Sequence, residues 1–189
     1  MDRRIERTKR NIYLAFFELL KKKAIDEISV TELAKLADID RRTFYMHYAT
    51  VTDVYLEFMQ QLQDTLADLL LECEARGEEQ GELFDFTLFY RELQAIMEEH
   101  LPFYEKLSKD KASMFLLYDC KDILEAAMRK FYGNHFPGTP QEETVYLSWM
   151  SNGITGLGAD FLTRNPNMTY EEYCSASVPL LKKAWLPRK

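Results

Sequence analysis

The sequence predicts an all-α protein of about nine helices, with a three-helix helix-turn-helix unit at the N-terminus and a larger helical region after it. Apolar residues recur at helical spacing through most of the chain, and Ser, Thr, Asp, Gly and Pro fall where helices should start and stop. No strand-type alternation, internal repeat or low-complexity tract is evident. The 189 residues, 47% apolar and 13% aromatic, suffice for one large or two small domains with a sizeable core and exclude a disordered chain.

Ile5, Ile12, Phe16, Leu19 and Leu20 share one face and place the first helix over about Arg4 to Lys23. Between residues 29 and 55 the spacing gives two short helices joined by a tight turn, then the start of a third. Leu33, Ala37, Ile39 and Phe44 pack the two together, and Asp40 stands at the N-cap of the second. Thr50 and Asp53 resemble the next cap, after which Val54, Phe58, Leu62, Leu66, Leu69 and Cys73 step through a long helix to about Ala75. Arg76 to Glu82, with two Gly and three acids, reads as a loop. An aromatic-rich helix follows over residues 84 to 100 and stops near Pro102, and Phe103 to Leu107 suits a short one. Lys111 to Tyr132 forms the next, closed by the turn cluster of residues 133 to 138. Thr139, Pro140, Glu142 and Glu143 open a helix to about Thr163. Thr169, Glu171 and Glu172 open the last, over residues 169 to 185, where Pro179 should introduce a kink.

The face left outside by Phe44 carries Arg41, Arg42, Thr43, Tyr45, Met46 and His47. Arg suits guanine edges bidentately, and Tyr and Thr suit phosphate oxygens. Thr43-Phe44-Tyr45-x-His47-Tyr48, preceded by Leu33-Ala34-x-x-Ala37 and followed by a Thr-x-x-Asp helix start, resembles the DNA-binding domain of the TetR/AcrR family of bacterial transcriptional regulators. The resemblance covers roughly the first 60 residues. With the exposed face it gives as DNA contacts Thr31, Arg41, Arg42, Thr43, Tyr45, Met46, His47 and Thr52, with Phe44 and Tyr48 as packing residues. It also marks two departures. Asp38 stands at the turn position where such proteins carry Gly, and Asp is one of the few residues that tolerates a left-handed backbone. Val51 stands where they place a Lys that grips phosphate, which removes one ionic contact. The domains implied are 1–50 for DNA binding, with the fourth helix from 51 as connector, and 51–189 for effector binding and dimerisation.

Charge distribution agrees with that division. The chain carries −7 overall, yet residues 1 to 50 hold 11 Lys and Arg against 8 Asp and Glu, and residues 51 to 189 hold 13 against 23. Arg3, Arg4, Arg7, Lys9 and Arg10 concentrate the basic excess. No apolar run is long enough to span a membrane and the N-terminus is no signal peptide, so a cytoplasmic protein is expected. Cys73, Cys120 and Cys174 lack metal-type spacing and read as free thiols. His47, His100 and His135 lie far apart, and neither a phosphate-binding Gly loop nor a nucleophile motif is present. No catalytic residue, metal or cofactor is expected.

Three of the seven Gly fall at 153, 156 and 158 within a helical pattern, each costing roughly 1 kcal/mol relative to Ala, which calls for a compensating close approach of helices. In proteins resembling this family the last two long helices form a four-helix dimer interface. That role falls here to Trp149, Gly153, Gly156, Leu157, Tyr173, Leu180 and Leu181; burial of the same helix inside one subunit is the alternative. Phe86, Phe89, Tyr90, Phe103, Phe115, Tyr118, Tyr146 and Trp149 suit either a pocket for a small-molecule effector or plain core. The function expected is a sequence-specific regulator, a repressor by the commoner mode of the family, that binds double-stranded pseudo-palindromic operator DNA as a homodimer. The alternative is a coactivator or adaptor that keeps the scaffold without binding DNA.

Overall fold

The computed structural model describes residues 3–99, 114–164 and 167–188. Among them the chain is all-α: eight α-helices, one 3-10 turn and no strand. The helices are α1 (Arg3–Leu20), α2 (Val30–Leu36), α3 (Arg41–Tyr45), α4 (Val51–Glu79), α5 (Phe86–Glu99), α6 (Met114–Tyr132), α7 (Pro140–Arg164) and α8 (Tyr170–Ala184). The short helix expected over Phe103 to Leu107 lies outside the described residues.

The chain forms two compact units, divided between Gln61 and Leu62 within α4, the helix that the sequence reading gives as connector. In the first unit, Ile12, Phe16, Leu19 and Leu20 of α1 pack in a core with Leu33, Ala34, Ala37, Phe44, Val51, Val54 and Phe58. Phe17 and Phe58 meet edge to face at 4.9 Å. Ile5, expected on the apolar face of the first helix, is 39% exposed, because α1 begins with a run of exposed residues and its packed stripe starts at Ile12. The helix ends at Leu20, short of Lys23. The chain there tightens to i→i+3 bonding, with Lys22 N–H donating to Leu19 O at 2.9 Å before a 3-10 turn over Ile25–Glu27.

In the second unit the rings of Phe84, Phe86, Phe131 and Tyr132 gather around Trp185, with centroid distances of 4.3, 5.7, 5.9 and 6.2 Å. The residues after α8 are held there. Tyr132 donates its hydroxyl to Leu186 O at 2.8 Å, and Leu186 N–H donates to the Tyr146 hydroxyl at 3.0 Å. Arg188 pairs with Glu74 at 2.7 Å, donates to Phe131 O at 3.1 Å and lies 5.1 Å from the centre of the Phe131 ring. Reciprocal caps open α7 (Thr139 with Glu142) and α8 (Thr169 with Glu172), where sequence and structure agree. Pro179 lies inside α8 at an exposed position.

The segment expected as a loop from Arg76 departs from the sequence reading, because α4 continues to Glu79. Both glycines have a tertiary or terminal role there. A Cβ on Gly77 would stand 2.6 Å from the Phe84 backbone, so the glycine lets the returning chain cross close to the helix. Gly81, at φ +74, closes α4 in a Schellman arrangement, with Glu82 N–H donating to Gly77 O at 2.8 Å and Gly81 N–H to Glu78 O at 3.1 Å.

Helix propensity alone gives Gly77→Ala a gain of about 1 kcal/mol. The crossing reverses the sign: the substitution should destabilise the protein by about 1 to 3 kcal/mol in chemical denaturation, and a stabilised variant would disprove the close approach.

Candidate nucleic-acid interface

The helix-turn-helix unit is built from both ends of a tight turn. Ser29 caps α2, its hydroxyl accepting Glu32 N–H at 3.2 Å, which leaves Thr31 exposed on the first turn. At the other end α2 stops in a second Schellman arrangement: Ile39 N–H donates to Ala34 O at 3.0 Å and Asp38 N–H to Lys35 O at 3.3 Å. The residue in the left-handed position is Asp38, at φ 56, and it is the one non-glycine residue with positive φ among the described residues. Asp40 then caps α3, accepting Thr43 N–H at 2.7 Å; that backbone bond holds its carboxyl below the usual carboxylate range.

With Phe44 fully buried, α3 can turn only one face to solvent. Arg41, Arg42, Tyr45 and Met46 are exposed, Met46 to 75%. Thr43 and His47 are half-buried, with the His47 ring 6.4 Å from that of Tyr48. The Arg41 guanidinium lies over the Tyr45 ring, 5.9 Å from its centre, within cation–π range. Thr31 and Arg41 border one cleft of about 540 Å³, together with Lys35, Asp38 and Asp40. Sequence reasoning missed Lys35. Its spacing from Thr31, one helical turn, was the available signal.

Thr52 is exposed on the first turn of α4, behind the reciprocal cap of Thr50 and Asp53: Thr50 N–H donates to the Asp53 carboxylate at 2.7 Å and Asp53 N–H to the Thr50 hydroxyl at 3.2 Å. Val51 beside it is buried, so this position contributes packing to the head. Of the N-terminal cations, Lys9, Lys21 and Lys23 are ion-paired with Glu57, Glu18 and Glu32 at 2.6, 2.7 and 2.7 Å. Arg3, Arg7 and Arg10 are exposed.

Of the aromatic residues grouped as an effector pocket, the described ones fall in different places. Phe86 and Tyr90 border a groove of about 790 Å³ between α5 and α8, with Tyr170, Cys174 and Val178 opposite. Phe89 is buried in the core, while Tyr146 and Trp149 border a separate cleft of about 400 Å³ on α7. Phe103 and the side chains of Phe115 and Tyr118 lie outside the described residues. The residues grouped as a dimer interface also divide. Trp149, Gly153, Gly156, Leu157 and Leu180 are exposed, and a Cβ on Gly153 or Gly156 would meet no atom within 4 Å, so the close approach expected of these glycines is not made among the described residues. Tyr173 and Leu181 are buried instead inside the unit, Tyr173 against Phe161 and Tyr90 with ring distances of 5.0 and 6.0 Å.

Asp38→Val should lower stability by about 1 to 2 kcal/mol, because a branched side chain is strained in the left-handed region, whereas Asp38→Gly should hold or raise it. Urea titration of the two variants beside the parent checks this, and equal stabilities would refute the strained turn.

No protein-family model matches the chain. No curated protein is similar to it either. Among solved structures it is similar to the dihydroxyacetone kinase operon activator DhaS, at 19% identity over 92% of this chain and 93% of that one, with a TM-score of 0.53. At that identity the likeness is one of fold, and it extends well beyond the head to nearly the full length of both chains.

Proposed function

We propose that this chain is a sequence-specific DNA-binding transcriptional regulator of the TetR/AcrR type, acting on a pseudo-palindromic operator as a homodimer. The observation that carries the reading is the α2–turn–α3 unit itself. Its turn is closed by Asp38, its second helix is capped by Asp40, and its outward face presents Arg41, Arg42, Tyr45 and Met46. A five-residue helix offers few base contacts, so two copies on half-sites one helical turn apart supply the selectivity that one lacks. The similar fold of a protein named as an operon activator agrees with a role in transcription, and does not decide between activation and the repressor mode that the family resemblance favours. Whichever the sign, site-specific DNA binding is the step that the head supports.

The exposed apolar surface on α7 and α8 supports the second copy. Trp149 and Leu180 are 60% and 61% exposed, with Val145 and Leu157 also uncovered. Apolar surface of this kind marks an interaction site, and the small residues beside it admit a helix at close range. The α5–α8 groove bordered by Phe86 and Tyr90 is our candidate place for a small-molecule effector, which would act by binding one arrangement of the dimer better than another.

Binding to the upstream region of its own gene should weaken linearly in log affinity against log salt. Arg41→Ala or Arg42→Ala should cost about 1 to 3 kcal/mol, with relaxed preference at one base pair where the Arg reads a base and uniform weakening where it holds phosphate. No binding even at low salt would favour the adaptor reading. Light scattering should give a dimer for the parent protein and a monomer for Trp149→Asp; a monomeric parent at micromolar concentration would overturn the dimer.

A further inference from the structure

Behind the reading face, the first unit holds a polar cluster that the proposed DNA contacts do not use. Glu57 lies in the second turn of α4. Lys9 of α1 donates its Nζ to Glu57 Oε1 at 2.6 Å and stands 5.6 Å from the centre of the Tyr48 ring. Gln61, one turn further along α4, donates Nε2 to the same oxygen at 3.4 Å. The Tyr13 and Tyr48 hydroxyls lie beside this carboxylate, closed off from solvent and without a hydrogen bond of standard geometry. Burial raises both phenols, Tyr13 to about 12, and the Glu57 charge adds to it. Burial works to raise Glu57 as well, but Lys9 and the two phenols bring it below the ordinary carboxylate range.

A part-exposed ion pair adds little to global stability, so the value of this one is geometric. It gathers α1, α4 and the residue that ends the reading segment at a single carboxylate. Tyr48 is tied to α3 by its N–H, which donates to Phe44 O at 3.0 Å, and by its ring, 5.7 Å from that of Phe44. We propose that Lys9 and Glu57 are positioning residues that set the angle of α3 on α4 through the Tyr48 ring, and so fix where Arg41, Arg42 and Met46 project. The functional part of this rests on α3 being the DNA-reading helix; the mechanical part does not.

Hydrogen exchange on the full chain decides the mechanical part without DNA. The amides of Phe44, Met46, His47 and Tyr48 are bonded to carbonyls of residues 40 to 44. In Glu57→Gln and in Lys9→Met they should exchange about tenfold faster or more, with α7 protection unchanged, while Lys9→Arg should stay within about twofold of the parent. Should Glu57→Gln fail to fold, Lys9→Met carries the comparison. Parent-like exchange in the loosened variants overturns the proposal. On a duplex selected by the parent from a randomised library, the same variants should lose about tenfold in affinity and stay within about threefold on a scrambled duplex. Equal loss on both duplexes would reduce the pair to a structural role and overturn positioning. A parent that prefers no duplex would refute the DNA reading, and the exchange rates would still decide whether Lys9 and Glu57 hold α3.

Discussion

A helix of five residues cannot sustain itself in water, since nucleation costs more than one or two backbone hydrogen bonds recover, so α3 depends on the burial of Phe44. That one side chain, with no exposed surface, removes apolar area worth about 1.5 to 3 kcal/mol from water and fixes the rotation of the helix about its axis. Every outward residue is defined by it. Arg41, Arg42, Tyr45 and Met46 reach solvent because Phe44 points inward, onto a core supplied by Leu33 and Ala37 of the preceding segment and Val51 and Val54 of the following helix. The turn residues serve this placement. A left-handed Asp38 brings the chain round sharply enough for Ile39 to close on Ala34, and the Asp40 cap starts α3 at a defined residue.

The second unit solves a different problem, how to pack many aromatic rings that carry polar atoms. Three of its tyrosines keep their rings in the core and pass their hydroxyls to backbone groups, Tyr132 to Leu186 O, Tyr146 to Leu186 N–H and Tyr170 to Tyr90 O, whereas the Tyr90 hydroxyl is buried without such a bond. Trp185 sits at the focus of this cluster, and Arg188 beyond it is held by an ion pair, a carbonyl and a ring at once. Among the described residues, part of the aromatic density that suggested a pocket in the sequence, the Phe86 and Tyr146 rings, belongs to this core. Only Phe86 and Tyr90 of the described candidates reach the α5–α8 groove.

Local chemistry was legible in the sequence, and tertiary choice was not. The caps at Asp40, Thr50, Thr139 and Thr169 were readable because the side chain and the amide it binds lie three residues apart. The tight turn was readable from the spacing of the two short helices, and Asp38, which departs there from the usual Gly, does take the left-handed conformation. Gly77 was misread as a loop residue because its reason is Phe84, whose backbone passes over the helix, and no periodicity records that crossing. Ile5 matched the apolar stripe of α1, but it is 39% exposed and the buried part of the stripe starts only at Ile12. Tyr173 and Leu181 matched the pattern of an outward helix face equally well as that of an inward one, and only the position of Tyr90 and Phe161 distinguishes them. Lys35 needed the cleft to be seen as a neighbour of Arg41.

Charge balance ties the proposed reading face to the proposed second copy. The face is not strongly cationic: Arg41, Arg42 and Lys35 share it with Asp38 and Asp40, and three lysines of the N-terminal basic excess are engaged in ion pairs. Val51, buried where the resemblance places a phosphate-gripping Lys, removes a further contact. Because affinity for DNA rises with the number of phosphates neutralised, the proposed reading makes one such head weak and rests its specificity on the accuracy with which a few side chains are aimed. Two heads on one duplex double the contacts and impose a spacing, which a two-fold pairing through the exposed face of α7 and α8 would provide. Under the proposed function, a chain with so modest a grip gains most from rigid aim and from symmetry, and its buried Phe44, its capped turn and its uncovered Trp149 are the features that such a reading draws on.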